Sequence, residues 1–560
     1  MTLSENLKNI KWNKHLISAF VATTGSLAAA YLVYKWRFSR SFSDTEQDTL
    51  KELNGFELKE KGNQYYREKK FSEAKESYLL ALEKISPEDL TLRSILFSNI
   101  AAVCDGLDDL EGIFENSSQA ISINPHYPKA YIRRALAFEK SDKMKEYVID
   151  LSTSYVLTGC TDRSRQQIDE IITKLAAKQV EDEFKNRNLS KISAYNIRRF
   201  TTDLFPDDIF TEEDLQAVKE EYTPNEQLYK YLEMLEIFRN GDIAICIDKA
   251  DDVIKQCDES NLNSLQQRVL LFRATCHFAV LNSERTMDDA KLLLSQSSIS
   301  AKLKIAANIR VVSLHLHTMD LESALTDLQE LRALDPDRAH TSYFLGQLYM
   351  LLMNFTMAKH CTKRAMNLCP QNVNFQVQML VIRANEAKAS GQQGTLRDVI
   401  DELRSICNTH RDNVEFSVEL AQLLHDAHEV NEAERRMNAA LHIADDVYKP
   451  YLLTQKAMQL VSKHRYDEAD SLLDESIQID QYNETAFQMK AVLAYRRERI
   501  SEAIEAFKSA SHIARGHHAL VMALATILSL EIQLSIMKQL SLPMKSCSHF
   551  TSYLRTFDAI

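Results

Sequence analysis

The sequence has few of the residues that make tight turns, with 11 glycines and 9 prolines in 560 residues. A sheet-rich chain needs more of both, because hairpin turns depend on the positive φ of glycine and the fixed φ of proline. This scarcity, together with abundant Ala, Leu, Glu, Lys and Gln, predicts helix nearly throughout. The length exceeds what a single core serves, so we expect a repeat array or several domains.

Paired cysteines are also missing. The nine cysteines are scattered, none forms a Cys-x-x-Cys pair, and none lies near a histidine at zinc-finger spacing. An odd, dispersed set of this kind indicates reduced thiols. We therefore expect the bulk of the chain to lie in a reducing compartment, the cytosol.

Sequence motifs of catalysis and an excess of basic charge are absent as well. We find no Gly-x-Gly-x-x-Gly, P-loop, His-Glu-x-x-His or Gly-x-Ser-x-Gly motif. His512, His517 and His518 cluster, but a metal site needs a convergent set of ligands that the sequence does not show. The formal net charge of −12 argues against nucleic acid as a partner, because that partner requires a basic face. The sequence predicts a binding protein with no catalytic residue, cofactor or metal.

One uncharged apolar run is present near the N-terminus, at residues 16–34. As a helix it would reach about 28 Å, close to the hydrocarbon thickness of a bilayer. Trp12 and Trp36 lie just outside its two ends, among basic residues, where interfacial aromatic side chains belong. A signal peptide, the main alternative, has a shorter apolar region followed by small residues. We predict a transmembrane anchor over 16–36 after a short segment, 1–15, with the following residues in the cytosol.

A repeat with a period near 34 follows a polar tether at 37–54. In its clearest copy, from 339, Gly346, Ala358 and Ala365 occupy positions 8, 20 and 27, where the two helices of a tetratricopeptide unit approach closely. The copies start near 55, 94, 128, 225, 264, 305, 339, 373, 414, 450 and 484. The predicted fold is all-α: a tetratricopeptide-repeat solenoid of about eleven repeats in two arrays, with one N-terminal transmembrane helix.

The repeat is lost between about 160 and 224, which separates two arrays. We expect a three-repeat domain over 55–187, a hinge over 188–224, a C-terminal array over 225–518 and a capping helix within 519–560. Residues 519–538 are strongly apolar, yet Glu531 and Gln533 disfavour a second membrane span. A capping or packing helix is the interpretation we favour there.

Polar residues recur on the first helices of the three front repeats, which face the concave groove in this architecture. They are Lys59, Asn63, Asn99, Lys129 and Arg133, at positions 5 and 9, 6, and 2 and 6 of their repeats. Residues four apart share a helix face. An isolated lysine is usually just solvated, but five such residues in register, with no carboxylate to neutralise them, favour a site for an acidic peptide end. Arginine can bind a carboxylate in bidentate geometry, lysine adds a point charge, and asparagine amides fix orientation.

With these five residues, the segments KEKGNQYYREKKFSEAKESYLLALEK, SNIAAV and PKAYIRRALA resemble the dicarboxylate clamp of tetratricopeptide co-chaperones. Anchor, clamp and repeat number together are similar to the family of seventy-kilodalton preprotein receptors of the mitochondrial outer-membrane translocase, the TOM complex. The resemblance implies that cytosolic heat-shock chaperones of the seventy- and ninety-kilodalton classes dock their Glu-Glu-Val-Asp tails on the clamp. Precursor proteins would then pass to a groove in the C-terminal array and to other TOM subunits.

The resemblance also implies a location, the mitochondrial outer membrane, with a single span and the bulk of the chain facing the cytosol. The tether at 37–54 is shorter than the family pattern suggests. Two alternatives stay open: a membrane-tethered co-chaperone on another organelle such as the endoplasmic reticulum, and a scaffold that binds no chaperone. The precursor groove is not assigned by the sequence. Tyr343, Gln347 and Met350 lie on the expected concave face, where residues at helical spacing are more often packing residues.

Overall fold

The structure is a computed structural model, and it describes residues 50, 52–186, 191–199, 201, 209–222, 226–318, 320–547 and 550–559. All regular elements in these ranges are helices, so the all-α prediction is confirmed. The predicted segment 1–15 and anchor 16–36 lie outside the described residues, as does most of the tether.

The three front repeats form six helices in helix–turn–helix pairs. They are α1 (Gly55–Arg67), α2 (Phe71–Lys84), α3 (Leu90–Gly106), α4 (Leu110–Ile123), α5 (Pro128–Lys140) and α6 (Met144–Thr158), followed by α7 (Asp162–Asn186). A capping box starts α1, because the Asn54 side chain accepts from the Glu57 amide while the Glu57 side chain accepts from the Asn54 amide. Proline at the first position starts α5, where a missing N–H costs nothing.

The later part of the chain contains two short helices and eight further helix pairs. The short helices are α8 (Ala194–Arg199) and α9 (Glu212–Glu221), within the segment predicted as a hinge. The pairs are α10 (Glu226–Arg239) with α11 (Ile243–Ile254), α12 (Ser264–Ala279) with α13 (Ser283–Leu294), α14 (Ala301–His317) with α15 (Leu321–Leu334), α16 (Ala339–Leu351) with α17 (Phe355–Leu368), α18 (Val373–Ser390) with α19 (Gln393–Thr409), α20 (Val414–Asp426) with α21 (Val430–Ile443), α22 (Lys449–Ser462) with α23 (Tyr466–Ile479), and α24 (Glu484–Arg496) with α25 (Ile500–Ile513). The chain ends in α26 (His517–Leu540), a short 3₁₀ turn (Met544–Ser546) and α27 (Ser552–Ala559).

The turn inside a repeat has a recurring backbone conformation. In seven repeats, the residue fourteen places after the predicted start has φ between 56 and 63°. These residues are Lys69, Asp108, Asp142, Met353, His428, His464 and Glu498. Non-glycine residues in this left-handed region carry a cost of about 1 kcal/mol or more. Its repetition at one register shows that these seven predicted repeat starts correspond to equivalent structural units.

Small residues lie where helices of a pair approach closely, as the period predicts. Ala358 and Ala365 on α17 are completely buried. A Cβ atom on Gly346 of α16 would lie 2.4 Å from the Thr362 hydroxyl oxygen, well inside van der Waals contact. The spacing found in the sequence is therefore a packing requirement between the two helices of the repeat.

The described residues form two compact units. The first runs to Leu175 and also includes Ser529–Arg555; the second runs from Ala176 to Leu528. Within the first unit, the Tyr553 hydroxyl is 2.6 Å from the Thr173 hydroxyl, and the Ser552 amide donates to Asp169 at 3.1 Å. The sequence gives no sign of this association, because the period reports neighbouring repeats and not contacts between distant segments.

Among the described residues, one helix, α26, is long and apolar enough to cross a membrane. Most of its apolar stretch is buried inside the protein, and Ser529 and Gln533 are both fully buried. The Glu531 carboxylate pairs with Lys145 at 2.7 Å within the first unit. These contacts favour a packing role for the helix.

Candidate functional site

Hydrogen bonds join the first helices of the three front repeats through side chains of the predicted clamp. The Asn99 amide on α3 donates to the Asn63 side-chain carbonyl on α1 at 3.3 Å. On α5, the Arg133 guanidinium donates to the backbone carbonyl and the hydroxyl of Ser98, the residue before Asn99. These bonds connect α1, α3 and α5 in a row: Asn63 is bonded to Asn99 directly, and Arg133 is bonded to the adjacent Ser98 and not to Asn99 itself.

Tyr78 on α2 fixes which way the Asn63 amide points. Its hydroxyl donates to the Asn63 carbonyl oxygen at 2.7 Å. Burial raises the pKa of Tyr78 to about 12, so the hydroxyl stays protonated and remains a donor at physiological pH. With its carbonyl oxygen engaged by Tyr78 and Asn99, Asn63 presents its NH₂ group to other acceptors.

Gly62 allows the Tyr78 ring to reach this position. A Cβ atom on Gly62 would lie 2.6 Å from ring carbon Cε1 and 2.7 Å from Cδ1 of Tyr78. Any larger residue would therefore have to displace the ring that orients Asn63. Gly62 lies at position 8 of the first repeat, a close-approach position of the repeat pattern, but that pattern does not reveal its effect on Asn63.

Lys59 is paired with a neighbouring carboxylate. Its ammonium lies 2.9 Å from Oε1 of Glu60, and its side chain is 14% exposed. The same ammonium lies over the ring of Phe56, 4.2 Å from the centroid. The expectation that no carboxylate neutralises the clamp is therefore wrong: Glu60 occupies position 6 of the first repeat, and the sequence argument considered only the basic and amide residues there.

Arg133 and Lys129 differ in their surroundings although they are one helical turn apart. Arg133 is half-buried, and burial lowers the pKa of its guanidinium, while Tyr127 and other nearby groups oppose that effect. A guanidinium stays charged in proteins despite such shifts. Lys129 is exposed and has no hydrogen-bond or ion-pair partner among the described residues. Lys129 is thus an unengaged charge beside the connected row.

Removing the Tyr78 hydroxyl should weaken acidic-peptide binding without unfolding the repeat. In Tyr78→Phe the ring still fills the space beside Gly62, but the Asn63 amide loses the donor that holds its orientation. We expect a loss of affinity of roughly five-fold, the effect of one hydrogen bond of about 1 kcal/mol. Peptide titration by calorimetry measures this change. A melting temperature close to that of the wild type would separate it from general destabilisation, and undiminished affinity would show that Tyr78 does not position the amide.

A cavity of about 380 Å³ lies within the second unit. Tyr343, Gln347 and Met350, which the sequence places on the concave face, all line it. Other lining residues are Tyr195, Arg199, His340, Phe344, Asn372, Asn374, Phe375, Val377, Gln378, Val381, Glu415, Phe416, Val418, Glu419, Tyr448 and Tyr451. The walls therefore combine aromatic rings with amides and a few charged groups, a mixture that is typical of ligand-binding pockets.

Helix α8 supplies one wall of this cavity. The Tyr195 ring stacks on Tyr451 with centroids 4.6 Å apart, and Arg198 pairs with Asp445 at 2.5 Å. Across the cavity, burial raises the pKa of the Glu419 carboxyl. Sequence reasoning missed Tyr195, Arg199 and Glu419, because it treated 188–224 as a hinge and followed only the small positions of the repeats.

The described residues contain no group of three His, Cys, Asp or Glu side chains placed to hold a metal ion. All nine cysteines are free thiols, and six of them are buried. Burial raises the pKa of Cys104 and Cys407 to about 11, which keeps these thiols protonated.

No family model matches the chain. The chain is 23% identical over 465 residues to the mitochondrial import receptor subunit TOM70 of Homo sapiens, covering 82% of this chain and 76% of that protein. Over 89 residues it is 34% identical to the Hsp70/Hsp90 co-chaperone CNS1 of Saccharomyces cerevisiae, covering 16% of this chain and 23% of that protein. The crystal structure of yeast Tom70 aligns with a TM-score of 0.47 at 20% identity, over 86% of this chain and 96% of that one. The resemblance found in the sequence is confirmed: the chain is similar to TOM70 over most of its length.

Proposed function

We propose that this chain is a receptor of the mitochondrial outer membrane that docks cytosolic chaperones by their acidic C-terminal tails and passes precursor proteins to the import translocase. The observation that carries the proposal is that hydrogen bonds of Asn63, Asn99 and Arg133 link the first helices of three successive repeats, with Ser98 as the partner of Arg133. The similarity to TOM70 over 82% of the chain supports the receptor role, and the similarity to an Hsp70/Hsp90 co-chaperone supports the choice of partner.

Different residues of the clamp would bind different groups of the tail. Arg133 and Lys129 on α5 would hold one carboxylate, because a charged donor pair gains most from an ionised acceptor. Lys59 on α1 would hold a second one. The Asn63 and Asn99 amides would set the direction of the peptide. Asn63 would offer its NH₂ group, since its carbonyl oxygen is engaged, and Asn99 would offer its carbonyl oxygen. No step of catalysis is needed, and no cofactor or metal enters the proposal.

The tethering part of the proposal rests on the sequence. The uncharged run within 16–36 would cross the outer membrane once, leaving the repeats in the cytosol, where chaperones and other TOM subunits meet them. A fusion of residues 1–45 to a fluorescent protein tests the location. Mitochondrial fluorescence agrees with the proposal, and fluorescence in the endoplasmic reticulum would favour the tethered co-chaperone instead.

The chaperone-tail proposal is tested by titrating the purified full-length chain with a Glu-Glu-Val-Asp peptide and with the same peptide amidated at its C-terminus. Each lost charged hydrogen bond costs about 1.5–3 kcal/mol, so the amide should bind roughly ten- to hundred-fold more weakly. Equal affinities would contradict a clamp for the terminal carboxylate. Absence of binding by either peptide would favour the scaffold alternative.

We place the precursor-binding site in the cavity of the second unit. Its aromatic walls suit apolar side chains of an unfolded segment, and its amides can pair with an extended backbone. Gln347 is half-buried in the wall and has no hydrogen-bond partner among the described residues. It is therefore a position where a change alters the cavity and breaks no existing contact.

Gln347→Arg should block precursor binding and leave tail binding unchanged. The longer, charged side chain fills part of the cavity and makes entry of an apolar segment costly. We expect at least a ten-fold loss of affinity for an unfolded carrier-type precursor, measured by pull-down with the full-length chain. The Glu-Glu-Val-Asp peptide, titrated on the same variant, is the control. Normal precursor capture by this variant would move the precursor site elsewhere.

A further inference from the structure

We propose that Glu60 is a built-in competitor of the acidic tail: its carboxylate occupies the α1 half of the clamp and has to be displaced when a tail docks. The inference rests on the proposed chaperone-tail function and assigns a role to a residue that the clamp pattern leaves out. It concerns what sets the affinity of the site, not which residues recognise the ligand.

The two carboxylate oxygens of Glu60 each engage one clamp residue. Oε1 pairs with the Lys59 ammonium at 2.9 Å, and Oε2 accepts from the Asn63 amide at 3.2 Å. These are the two clamp residues that α1 supplies. Glu60 also has the same repeat position as Asn99 in the second repeat and Arg133 in the third, which places its side chain on the same face of the array.

Glu60 is ionised in this arrangement. Its hydrogen bonds with Lys59 and Asn63 lower the pKa of the carboxyl below its usual range, against the small effect of burial. An incoming carboxylate that approaches Lys59 therefore meets an existing ion pair and a like charge. It gains the Lys59 and Asn63 contacts only after Glu60 gives them up.

In the part of the chain that the structure describes, the α5 half of the clamp carries no such competitor. Arg133 donates to Ser98, a neutral partner, and Lys129 has no partner among the described residues. Asp105, which acts on Arg133 through its charge, forms an ion pair with Lys140 at 2.7 Å. The clamp thus has an open half on α5 and a half on α1 that Glu60 masks. Glu60 should therefore reduce the affinity contributed by the peptide carboxylate that binds α1 more than the affinity contributed by the carboxylate that binds α5.

Glu60→Gln in the full-length chain tests the idea, because glutamine keeps the size of the side chain and removes the charge. We expect the affinity for the Glu-Glu-Val-Asp peptide to rise roughly three- to ten-fold at low ionic strength, the range that an exposed ion pair and one like-charge repulsion allow. The gain should shrink as salt is added, because the interaction is partly exposed. A peptide with a single carboxylate should gain less.

A matched control is Glu115→Gln on α4. Glu115 is exposed and has no hydrogen-bond or ion-pair partner among the described residues, so the variant makes the same change in net charge without touching the clamp. Its affinity should stay within about two-fold of the wild type, since distant surface charges are screened. An equal gain from both variants would mean that Glu60 acts only through net charge and would overturn the proposal.

The background variant Lys59→Ala decides whether Glu60 acts through the clamp. Adding Glu60→Gln to it should give a smaller gain than in the wild type, because the masked ammonium is already gone and only the Asn63 contact and the like charge remain to be relieved. If the wild type binds the peptide and Glu60→Gln does not tighten it, the competitor role is wrong while the receptor proposal stands. If neither protein binds, both fall together; if only Glu60→Gln binds, the masking is established directly.

Discussion

Arg133→Ala is expected to abolish measurable binding of the Glu-Glu-Val-Asp peptide while leaving the fold intact. Arg133 is the half-buried cation of the clamp, and its donors are held in place by the carbonyl and hydroxyl of Ser98. Truncating one partner of a buried, hydrogen-bonded charge pair costs about 2–5 kcal/mol of affinity, which is roughly thirty-fold to several thousand-fold. Calorimetric titration of the full-length protein measures the loss.

Two further variants separate the effect of the charge of Arg133 from that of its geometry. Lys129→Ala removes an exposed point charge on the same helix, so its loss of affinity should be several-fold and should fade at high salt. Arg133→Lys keeps the charge but not the planar, bidentate geometry, and should lie between the wild type and Arg133→Ala. A tail that binds Arg133→Ala as well as it binds the wild type would remove the clamp from the proposed function.

The first-helix residues could be predicted because helical spacing decides which face each of them occupies. Position 6 of the third repeat was expected to share a face with position 6 of the second, and the structure joins α5 to α3 one residue away, where Arg133 is bonded to Ser98 at position 5. The left-handed turn residue, such as Asp108, recurs at one register for the same reason. Residues one period of about 34 apart have equivalent environments, so the period predicts the environment of every position of the repeat.

The hydrogen-bond and ion-pair partners of each side chain could not be predicted in the same way. Nothing in the sequence says that Lys59 bonds to the adjacent Glu60 or that Tyr78 holds the Asn63 carbonyl. Both contacts depend on rotamers that local packing selects after the helices have formed. The sequence therefore predicted an open cationic groove, whereas Lys59 and Asn63 are paired with Glu60 in the structure.

Contacts between segments far apart in the sequence could not be predicted either. Residues Ser529–Arg555 belong to the first unit although they follow the last repeat by sequence. The Ser552 amide finds Asp169 across 383 positions of chain. No periodicity links such segments, and an apolar helix looks the same in sequence whether it packs on its neighbours or crosses a membrane.

Arg134, the residue next to Arg133, has a structural role. Its Nε and Nη2 atoms donate to Oδ2 and Oδ1 of Asp150 on α6 at 2.7 and 2.8 Å. Its Nη1 atom donates to the Ser118 hydroxyl on α4 at 3.2 Å. Only 2% of the Asp150 side chain is exposed, so this carboxylate depends on Arg134 for its compensation. Two adjacent arginines on α5 thus differ: we propose that Arg133 binds the peptide, whereas Arg134 joins α4, α5 and α6.

Arg134→Ala should therefore destabilise the first unit, whereas Arg133→Ala should not. An uncompensated buried charge costs about 3–5 kcal/mol, a large fraction of the stability of a small domain. Hydrogen exchange resolved to α5 and α6, or thermal unfolding of the full-length chain, measures the loss. Replacing both partners, as in Arg134→Met with Asp150→Leu, should restore much of the stability, because no buried charge is left unpaired. If Arg134→Ala exchanges and melts like the wild type, the Asp150 carboxylate must find solvent or another partner, and the proposed difference between the two arginines is wrong. If the double variant is no more stable than Arg134→Ala, the loss of stability comes from packing of the arginine stem and not from the unpaired charge.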